Sequence, residues 1–186
     1  MTDHHSPVIS TCAAPELERH LPEMGDLLHA CVHDRASIGF VLPFSATAAE
    51  AFWRHKVLPA VTEGTRLLLL ARVEGRIVGT AQLDHDTPPN QPHRAEVRKL
   101  LVHPARRRQG LARALMAELE RQAARLGRSL LTLDTRTDDT AQPLYTSMGY
   151  HTAGIIPHYC RDPLDPTRLD ATTIMYKLLP PGSVDR

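Results

Sequence analysis

Residues 95–112, with the sequence AEVRKLLVHPARRRQGLA, form the segment that decides the fold. A β-rich run over residues 95–102 stops at Pro104, and Gly110 then begins a helical pattern. The first turn of a helix carries unpaired N–H groups and the positive end of the helix dipole, so it binds phosphate without help from a side chain. Small residues at Gly110 and Ala112 leave room for that approach. The segment therefore predicts a strand, an anion-binding turn and a helix.

Basic side chains surround this turn and favour a phosphate ligand. Arg107, Arg108 and Arg113 can add charge-assisted hydrogen bonds to phosphate oxygens. The segment is not a P-loop, because no Gly-Lys-Ser/Thr follows. It is not a dinucleotide fingerprint either, because only one of the three glycines is present. The residues therefore predict an anion site and leave the ligand open.

The hydrophobic patterns on both sides of this segment predict a mixed α/β sheet. Two β-rich runs joined by Glu74, Gly75 and Arg76 are typical of an antiparallel hairpin, and strand–helix–strand units follow later. The predicted strands cover residues 8–12, 66–73, 77–85, 95–102, 129–135, 150–156 and 171–179. The predicted helices cover residues 16–34, 110–126 and 141–148, and a further one ends at residue 59 after a cap at Ser45 or Thr47.

Composition restricts the class of protein. The chain has 186 residues, 42% of them hydrophobic, which suits one domain over residues 1–186 with flexible tails at 1–6 and 180–186. Its 22 basic and 21 acidic residues nearly cancel, so neither nucleic acid nor a membrane is an expected partner. Three widely spaced cysteines and the lack of an apolar leader favour a cytoplasmic protein. The eleven histidines are interpreted as surface or loop residues, so no metal is expected.

Two sequence blocks resemble the GNAT superfamily of N-acetyltransferases. The first, Arg107-Arg108-Gln109-Gly110-Leu111-Ala112, matches the pyrophosphate-binding motif Arg/Gln-x-x-Gly-x-Gly/Ala. The second, AQPLYTSMGY at residues 141–150, matches a downstream block that ends in Gly-Tyr/Phe. The resemblance covers most of the chain and implies a mixed, mostly antiparallel sheet of about seven strands flanked by about four helices.

The same resemblance implies acetyl-CoA as the cosubstrate, without a metal. The residues that would bind it come from the end of the central strand, the basic turn and the helix start. They are Leu100, Leu101, Val102, Arg107, Arg108, Gln109, Gly110, Leu111, Ala112 and Arg113.

Within the superfamily the chain is most similar to the tabtoxin-resistance acetyltransferases. The similarity lies in RAEVxKL at residues 94–100, LDT at residues 133–135 and ASxGF at residues 36–40. It implies a small amine as the acceptor, with an amino-acid-like or antibiotic-like structure, and a role in toxin or antibiotic resistance. A homodimer is compatible with the resemblance, but the sequence leaves the oligomeric state and the identity of the acceptor open.

Three side chains are candidates for acid–base catalysis. An alkylammonium with a pKa near ~10.4 is almost fully protonated at neutral pH, so acetyl transfer to an amine needs a base. Glu96 and Asp134, on neighbouring strands, are the candidate bases or ammonium-binding groups. The resemblance makes Tyr145 the acid that protonates the leaving thiolate. A backbone N–H at Leu101 or Val102 is the candidate for holding the developing oxyanion.

Other functions are open at this stage. A protein or peptide N-acetyltransferase would use the same donor site with an open groove for the acceptor. Glu96 and Tyr145 argue against a non-catalytic acyl-CoA sensor, and the 4% aromatic content argues against a nucleic-acid binder. Asp138 stands where many GNAT relatives carry Asn, and it is interpreted as a turn or cap residue rather than a site residue.

Overall fold

The structure is a computed structural model in which residues 7–180 are described. The tails expected at 1–6 and 180–186 lie outside the described residues, apart from Pro180. The strands are β1 (Val8–Thr11), β2 (Arg66–Val73), β3 (Arg76–Asp84), β4 (Arg94–Val102), β5 (Leu130–Arg136), β6 (His151–Arg161) and β7 (Leu169–Leu178). The α-helices are α1 (Ala14–Arg19), α2 (Leu21–His33), α3 (Ala46–Phe52), α4 (Leu58–Thr62), α5 (Leu111–Arg125) and α6 (Gln142–Ser147). A π-helical turn, Trp53–Val57, joins α3 to α4, and a 3₁₀ turn covers Pro104–Arg106.

The seven strands form one sheet in the order β1-β2-β3-β4-β5-β7-β6. Every neighbouring pair is antiparallel except β4 and β5, which are parallel. This confirms the predicted class, a mixed and mostly antiparallel α/β sheet. The predicted strand over residues 150–156 is longer than expected, because β6 continues to Arg161 at the edge of the sheet.

Prolines interrupt the two helices predicted in the N-terminal half. The helix expected over residues 16–34 is divided into α1 and α2, because Pro22 at the start of α2 has no N–H with which to continue the first helix. The second helix begins where one of the two proposed caps lies, since Ser45 Oγ accepts a hydrogen bond from the N–H of Ala48 at 3.0 Å. It then passes through the π-helical turn before Pro59, whose N–H is also missing.

Two apolar cores lie on opposite faces of the sheet. Helix α5 covers one face, where Leu115 and Met116 are fully buried. Helices α2 to α4 cover the other face, where Leu28 and Trp53 are fully buried. Among the described residues, the second core takes side chains from β2, β3 and β4 but none from β5. The β5 half of that face is therefore left to polar side chains. No helix between residues 7 and 180 combines the length and the apolar character needed to cross a membrane.

Gly79 in β3 is a point of close packing against β4 and α5. A Cβ atom at this position would lie 2.9 Å from Leu101 O and 3.2 Å from Leu115 Cδ1. We expect Gly79→Ala to lower the free energy of unfolding by about 1–3 kcal/mol, because the strand and the helix must move to admit the methyl group. Urea unfolding followed by circular dichroism measures this loss.

Gly154 in β6 provides the matched control. It also lies in a strand, but a Cβ atom there would meet nothing within 4 Å. We expect Gly154→Ala to change the free energy of unfolding by less than about 0.5 kcal/mol. Equal losses in the two variants would show that strand glycines matter here for a reason other than close packing.

Candidate functional site

A cleft opens where the parallel strands β4 and β5 separate. The two strands pair only between residues 94–96 and residues 130–132. Beyond these pairs the strands diverge, and the space between them forms a cavity of about 760 Å³. The start of α5, helix α6 and residues 34–38 also border this cavity. We call the space between the two strands the cleft.

A β-bulge bends β4 at the cleft. Lys99 and Leu100 together oppose Ala81 of β3, and Lys99 has a positive φ of 49°. An extra residue on one strand kinks that strand and increases its local twist. The bulge therefore accounts for the turn of β4 away from β5, which creates the cleft.

The backbone of β4 presents one of the two candidate oxyanion donors to the cleft. The N–H of His103 donates to Val78 O at 2.8 Å. Hydrogen-bonded and non-hydrogen-bonded pairs alternate along an antiparallel ladder, so the next hydrogen-bonded pair is Leu101 with Thr80. The N–H of Leu101 therefore points to β3, and the N–H of Val102 points away from β3. This corrects the expectation for Leu101, whose N–H is used in the ladder.

The turn before α5 has the form of an anion-binding helix start. Gly110 adopts the left-handed conformation with φ 79°, and open space surrounds its Cα. The N–H of Ala114 is the first that bonds back into the helix, to Gly110 O at 3.0 Å. The N–H groups of Leu111, Ala112 and Arg113 consequently have no acceptor within α5, and all three residues line the cavity.

The basic residues of this turn differ in whether their side chains already have hydrogen-bond or ion-pair partners. Arg107 forms an ion pair with Asp34 and donates from Nε to Val102 O at 3.3 Å. Arg113 donates to Ser147 Oγ at 2.7 Å. Within residues 7–180, the side chain of Arg108 takes part in no hydrogen bond or ion pair.

Most of the residues predicted to bind acetyl-CoA are brought together by the fold. Nine of the ten line the cavity, namely Leu100, Leu101, Val102, Arg107, Arg108, Gly110, Leu111, Ala112 and Arg113. Gln109 does not line it. The sequence motif placed Gln109 with the others because it could not show which side of the turn the residue faces.

The two candidate bases occupy different positions. Glu96 lies where β4 and β5 are still paired, opposite Thr132, and its carboxylate forms an ion pair with Arg98 and accepts a hydrogen bond from Arg98 Nη2 at 3.2 Å. Asp134 lies two residues beyond Thr132, where the strands have separated, and it lines the cavity. The Thr172 hydroxyl has one proton and two acceptors within reach, Thr135 O at 3.0 Å and Asp134 Oδ2 at 3.3 Å. Both carboxylates are on the sheet face opposite α5, but only Asp134 borders the cavity.

Tyr145, the candidate acid, lies in α6 and lines the cavity. It is 7% exposed and packs edge-on against Tyr150, with ring centroids 5.8 Å apart. Burial, together with the nearby negative charges of Asp139 and Asp134, raises the pKa of the Tyr145 phenol well above its usual value. Its hydroxyl is therefore protonated throughout the physiological pH range. Asp138, near this helix, is a turn residue with φ 62°, and its N–H donates to Gln142 Oε1 at 3.1 Å.

Lys99 is a cavity residue that the sequence argument did not select as functional. Its Nζ donates to Ile38 O at 2.8 Å and lies 5.7 Å from the ring centroids of Phe40 and Phe52. Burial, with a contribution from Arg98, lowers the pKa of Lys99. Nothing in the sequence around Lys99 marks a bulge, so its place in the cavity is explained only by the pairing of β4 with β3.

The histidines show one pair that the sequence argument overlooked. His29 and His33 stand one turn apart on α2, with ring centroids 4.0 Å apart, and His33 Nδ1 lies 2.9 Å from His29 O. Two histidines at this spacing can bind a metal when a third ligand joins them. No group of three His, Cys, Asp or Glu residues suited to a metal occurs in the part of the chain that the structure describes.

Comparisons with known proteins agree with this geometry. A family model described as the acetyltransferase (GNAT) family matches residues 18–150. A curated relative is an uncharacterized N-acetyltransferase from the hisH–hisA intergenic region of Azospirillum brasilense. It is 32% identical over 125 residues, which cover 66% of this chain and 72% of the relative.

Solved structures share the fold over almost their whole length. YncA from Salmonella typhimurium, solved with its cofactor acetyl-CoA, has a TM-score of 0.72 and 18% identity, with 97% of this chain and 98% of that one covered. The ribosomal-protein-S18-alanine N-acetyltransferase of Escherichia coli has a TM-score of 0.68 and 21% identity, with 97% and 99% covered. At such identities the likeness shows the fold alone.

Proposed function

Because this chain belongs to the acetyltransferase (GNAT) family, we propose that it transfers the acetyl group of acetyl-CoA to the amine of a small, amino-acid-like molecule. The family membership makes the chain an acyltransferase that uses acetyl-CoA. The small acceptor and the roles of individual residues are the proposal.

The observation that carries the proposal is the position of the cleft between a helix start and a carboxylate. The unpaired N–H groups at the start of α5 border the same cavity as Asp134 of β5. The helix start suits the pyrophosphate of CoA, and the carboxylate suits an ammonium group. A donor and an acceptor that bind at these two places would meet between β4 and β5.

The residues of this chain fit the acyl donor. The N–H groups of Leu111, Ala112 and Arg113 would bind the pyrophosphate, with added charge from Arg108. The N–H of Val102, which faces away from β3, would donate to negative charge that develops on the carbonyl oxygen. Gln109 has no part in this proposal, since it does not border the cavity.

Asp134 is the proposed base. Its carboxylate borders the cavity and accepts at most one hydrogen bond, which Thr172 shares with Thr135 O, so free lone pairs are available to an acceptor ammonium. The carboxylate of Glu96 is paired with Arg98. This pairing favours a role for Glu96 in balancing the charge of Arg98 rather than in proton transfer.

Tyr145 is the proposed acid for the departing thiolate. Its raised pKa keeps the phenol protonated at the start of the step and also makes it a weaker acid, so it would act by donating a hydrogen bond to the developing thiolate. A thiol with a pKa of about 8.5 is a good leaving group, so a weak acid is sufficient.

A roof over the cavity favours a small acceptor. We define the roof as residues 36–44, of which Ala36, Ser37 and Ile38 border the cavity. The N–H of Leu42 donates to Pro163 O, between β6 and β7, at 2.9 Å. Lys99 Nζ holds the roof from the β4 side through Ile38 O. An extended peptide needs an open groove. The roof is bonded to Lys99 of β4 and to the loop between β6 and β7, and a segment fixed at both places would close such a groove.

Incubation of the purified protein with acetyl-CoA and single amines tests the proposal. We expect one or more amino acids, or antibiotics that resemble them, to yield free CoA thiol and an N-acetylated product of the correct mass. Peptides with free N-termini, including those that begin with alanine, form the comparison set. A kcat/KM for peptides higher by about tenfold or more, or no acetylation of any small amine, would overturn the small acceptor.

A further inference from the structure

Lys99 is a partly buried cation with no carboxylate at ion-pair distance among the described residues. None of the ion pairs within residues 7–180 includes it, although its side chain borders the cavity. One hydrogen bond, to Ile38 O, occupies one of the three N–H donors of its ammonium group. Two donors are therefore left to face the cavity and the aromatic rings of Phe40 and Phe52.

Two other cations that border the cavity, one on each wall of the cleft, have their charges matched. Arg98 is paired with Glu96 at 3.0 Å and with Asp84 at 3.6 Å. Arg136 is paired with three carboxylates, those of Asp139, Asp162 and Asp170, at 3.3 to 3.7 Å. Burying a charge without a partner is costly, so an uncompensated ammonium in a cavity is a place where an anion gains binding energy.

We propose that Lys99 binds a carboxylate, or an equivalent anionic group, that the acceptor carries beside its amine. This inference rests on the proposed function and makes it more specific, because it assigns the acceptor to the zwitterionic amines. A purely cationic amine would be repelled by Lys99, whereas an amino acid presents one charge of each sign.

The placement of the two charged groups fits such an acceptor. Lys99 is on β4 and Asp134 is on β5, so they face the cleft from its two walls. Burial and Arg98 lower the pKa of Lys99 and the negative charge of Asp134 raises it to a smaller extent, although no ion pair joins the two side chains among the described residues. An α-amino acid bound between them would direct its ammonium group to Asp134 and its carboxylate to Lys99.

A purely structural role for Lys99 predicts a different result. If the side chain only held the roof through Ile38 O, its removal would impair every acceptor to the same extent. If it binds a carboxylate, its removal impairs acceptors with a carboxylate and leaves those without one almost unchanged. The comparison of an amino acid with its carboxamide separates the two roles.

The experiment measures kcat/KM for an accepted amino acid and for its carboxamide, with the wild type and with Lys99→Met. Methionine has an unbranched chain of similar length and no charge. We expect the ratio of carboxylate to carboxamide kcat/KM to fall by about 10- to 100-fold in the variant. The amine of an amino-acid carboxamide is less basic than that of the amino acid itself. This difference affects the wild type and the variant equally, so it cancels when their two kcat/KM ratios are compared.

Calorimetry provides a second readout, which does not depend on turnover. In the presence of CoA, the N-acetyl amino acid product should bind the wild type more tightly than its carboxamide, and Lys99→Met should remove that preference. Acetyl-CoA binding of Lys99→Met should match the wild type, and any loss of stability of the roof from the missing bond to Ile38 O should impair the amino acid and its carboxamide equally. Unchanged ratios in the variant, or wild-type enzyme that prefers carboxamides, would overturn the inference while acetylation itself persists. Absence of acetylation of every small amine would instead remove the proposed function.

Discussion

Gly110→Asp is expected to weaken acetyl-CoA binding by at least about 100-fold. The new carboxylate would lie at the first turn of α5, where the N–H groups of Leu111, Ala112 and Arg113 have no partner. It would compete for these donors and repel the pyrophosphate. Two like charges at about 4 Å near a protein surface repel by about 4 kcal/mol, which is enough for this loss. Calorimetric titration with acetyl-CoA measures it.

Gly110→Asn isolates the charge from the change in backbone. Asparagine has the size of aspartate, and both residues tolerate the left-handed conformation that Gly110 adopts at φ 79°. We expect this variant to lose less than about tenfold in affinity. The difference between the two variants should also narrow as the salt concentration rises, because screening weakens the repulsion. Equal losses would mean that space or backbone conformation, rather than charge, governs the site.

Local sequence patterns were sufficient for the part of the site that lies on one continuous segment. The strand, the basic turn and the start of α5 follow one another within residues 95–112, and the unpaired N–H groups of a helix start need no distant partner. The order of strands and helices was predictable for the same reason, since each element has its own hydrophobic period. In the sequence, only Pro22 and Pro59 marked the breaks in the N-terminal helices. A proline is tolerated in the first turn of a helix but not in its interior, so its effect depends on where the helix begins.

The acceptor side depends on contacts between distant segments, and there the sequence argument was less successful. Glu96 and Asp134 are both polar residues in apolar strands, and no local pattern shows that the strands are paired at the first and separated at the second. The bulge at Lys99 arises from two residues of β4 that oppose Ala81 of β3, which is a matter of register. The motif also could not show that Gln109, unlike its neighbours Arg108 and Gly110, does not line the cavity.

We expect Asp134→Asn to lower kcat/KM by about 100- to 10,000-fold, because it removes the proposed base. Asparagine keeps the size of the side chain and its acceptor for the Thr172 hydroxyl, so acetyl-CoA binding and the free energy of unfolding should change little. Steady-state kinetics with an accepted amine measure the loss. Glu96→Gln, the matched change at the carboxylate bound by Arg98, should cost less than about tenfold.

The pH dependence distinguishes a base from a binding group. At neutral pH roughly one alkylamine molecule in a thousand is unprotonated, so the enzyme must supply a base for the remainder. As the pH approaches the amine pKa of about 10, the acceptor loses its proton to the solvent and the base becomes dispensable. Tyr145 remains protonated in this range, because its pKa is raised well above the usual value. The deficit of Asp134→Asn should therefore shrink by about tenfold or more between neutral and alkaline pH. A deficit that stays constant with pH would assign Asp134 to positioning the acceptor, and a larger loss in Glu96→Gln would transfer the role of base to Glu96.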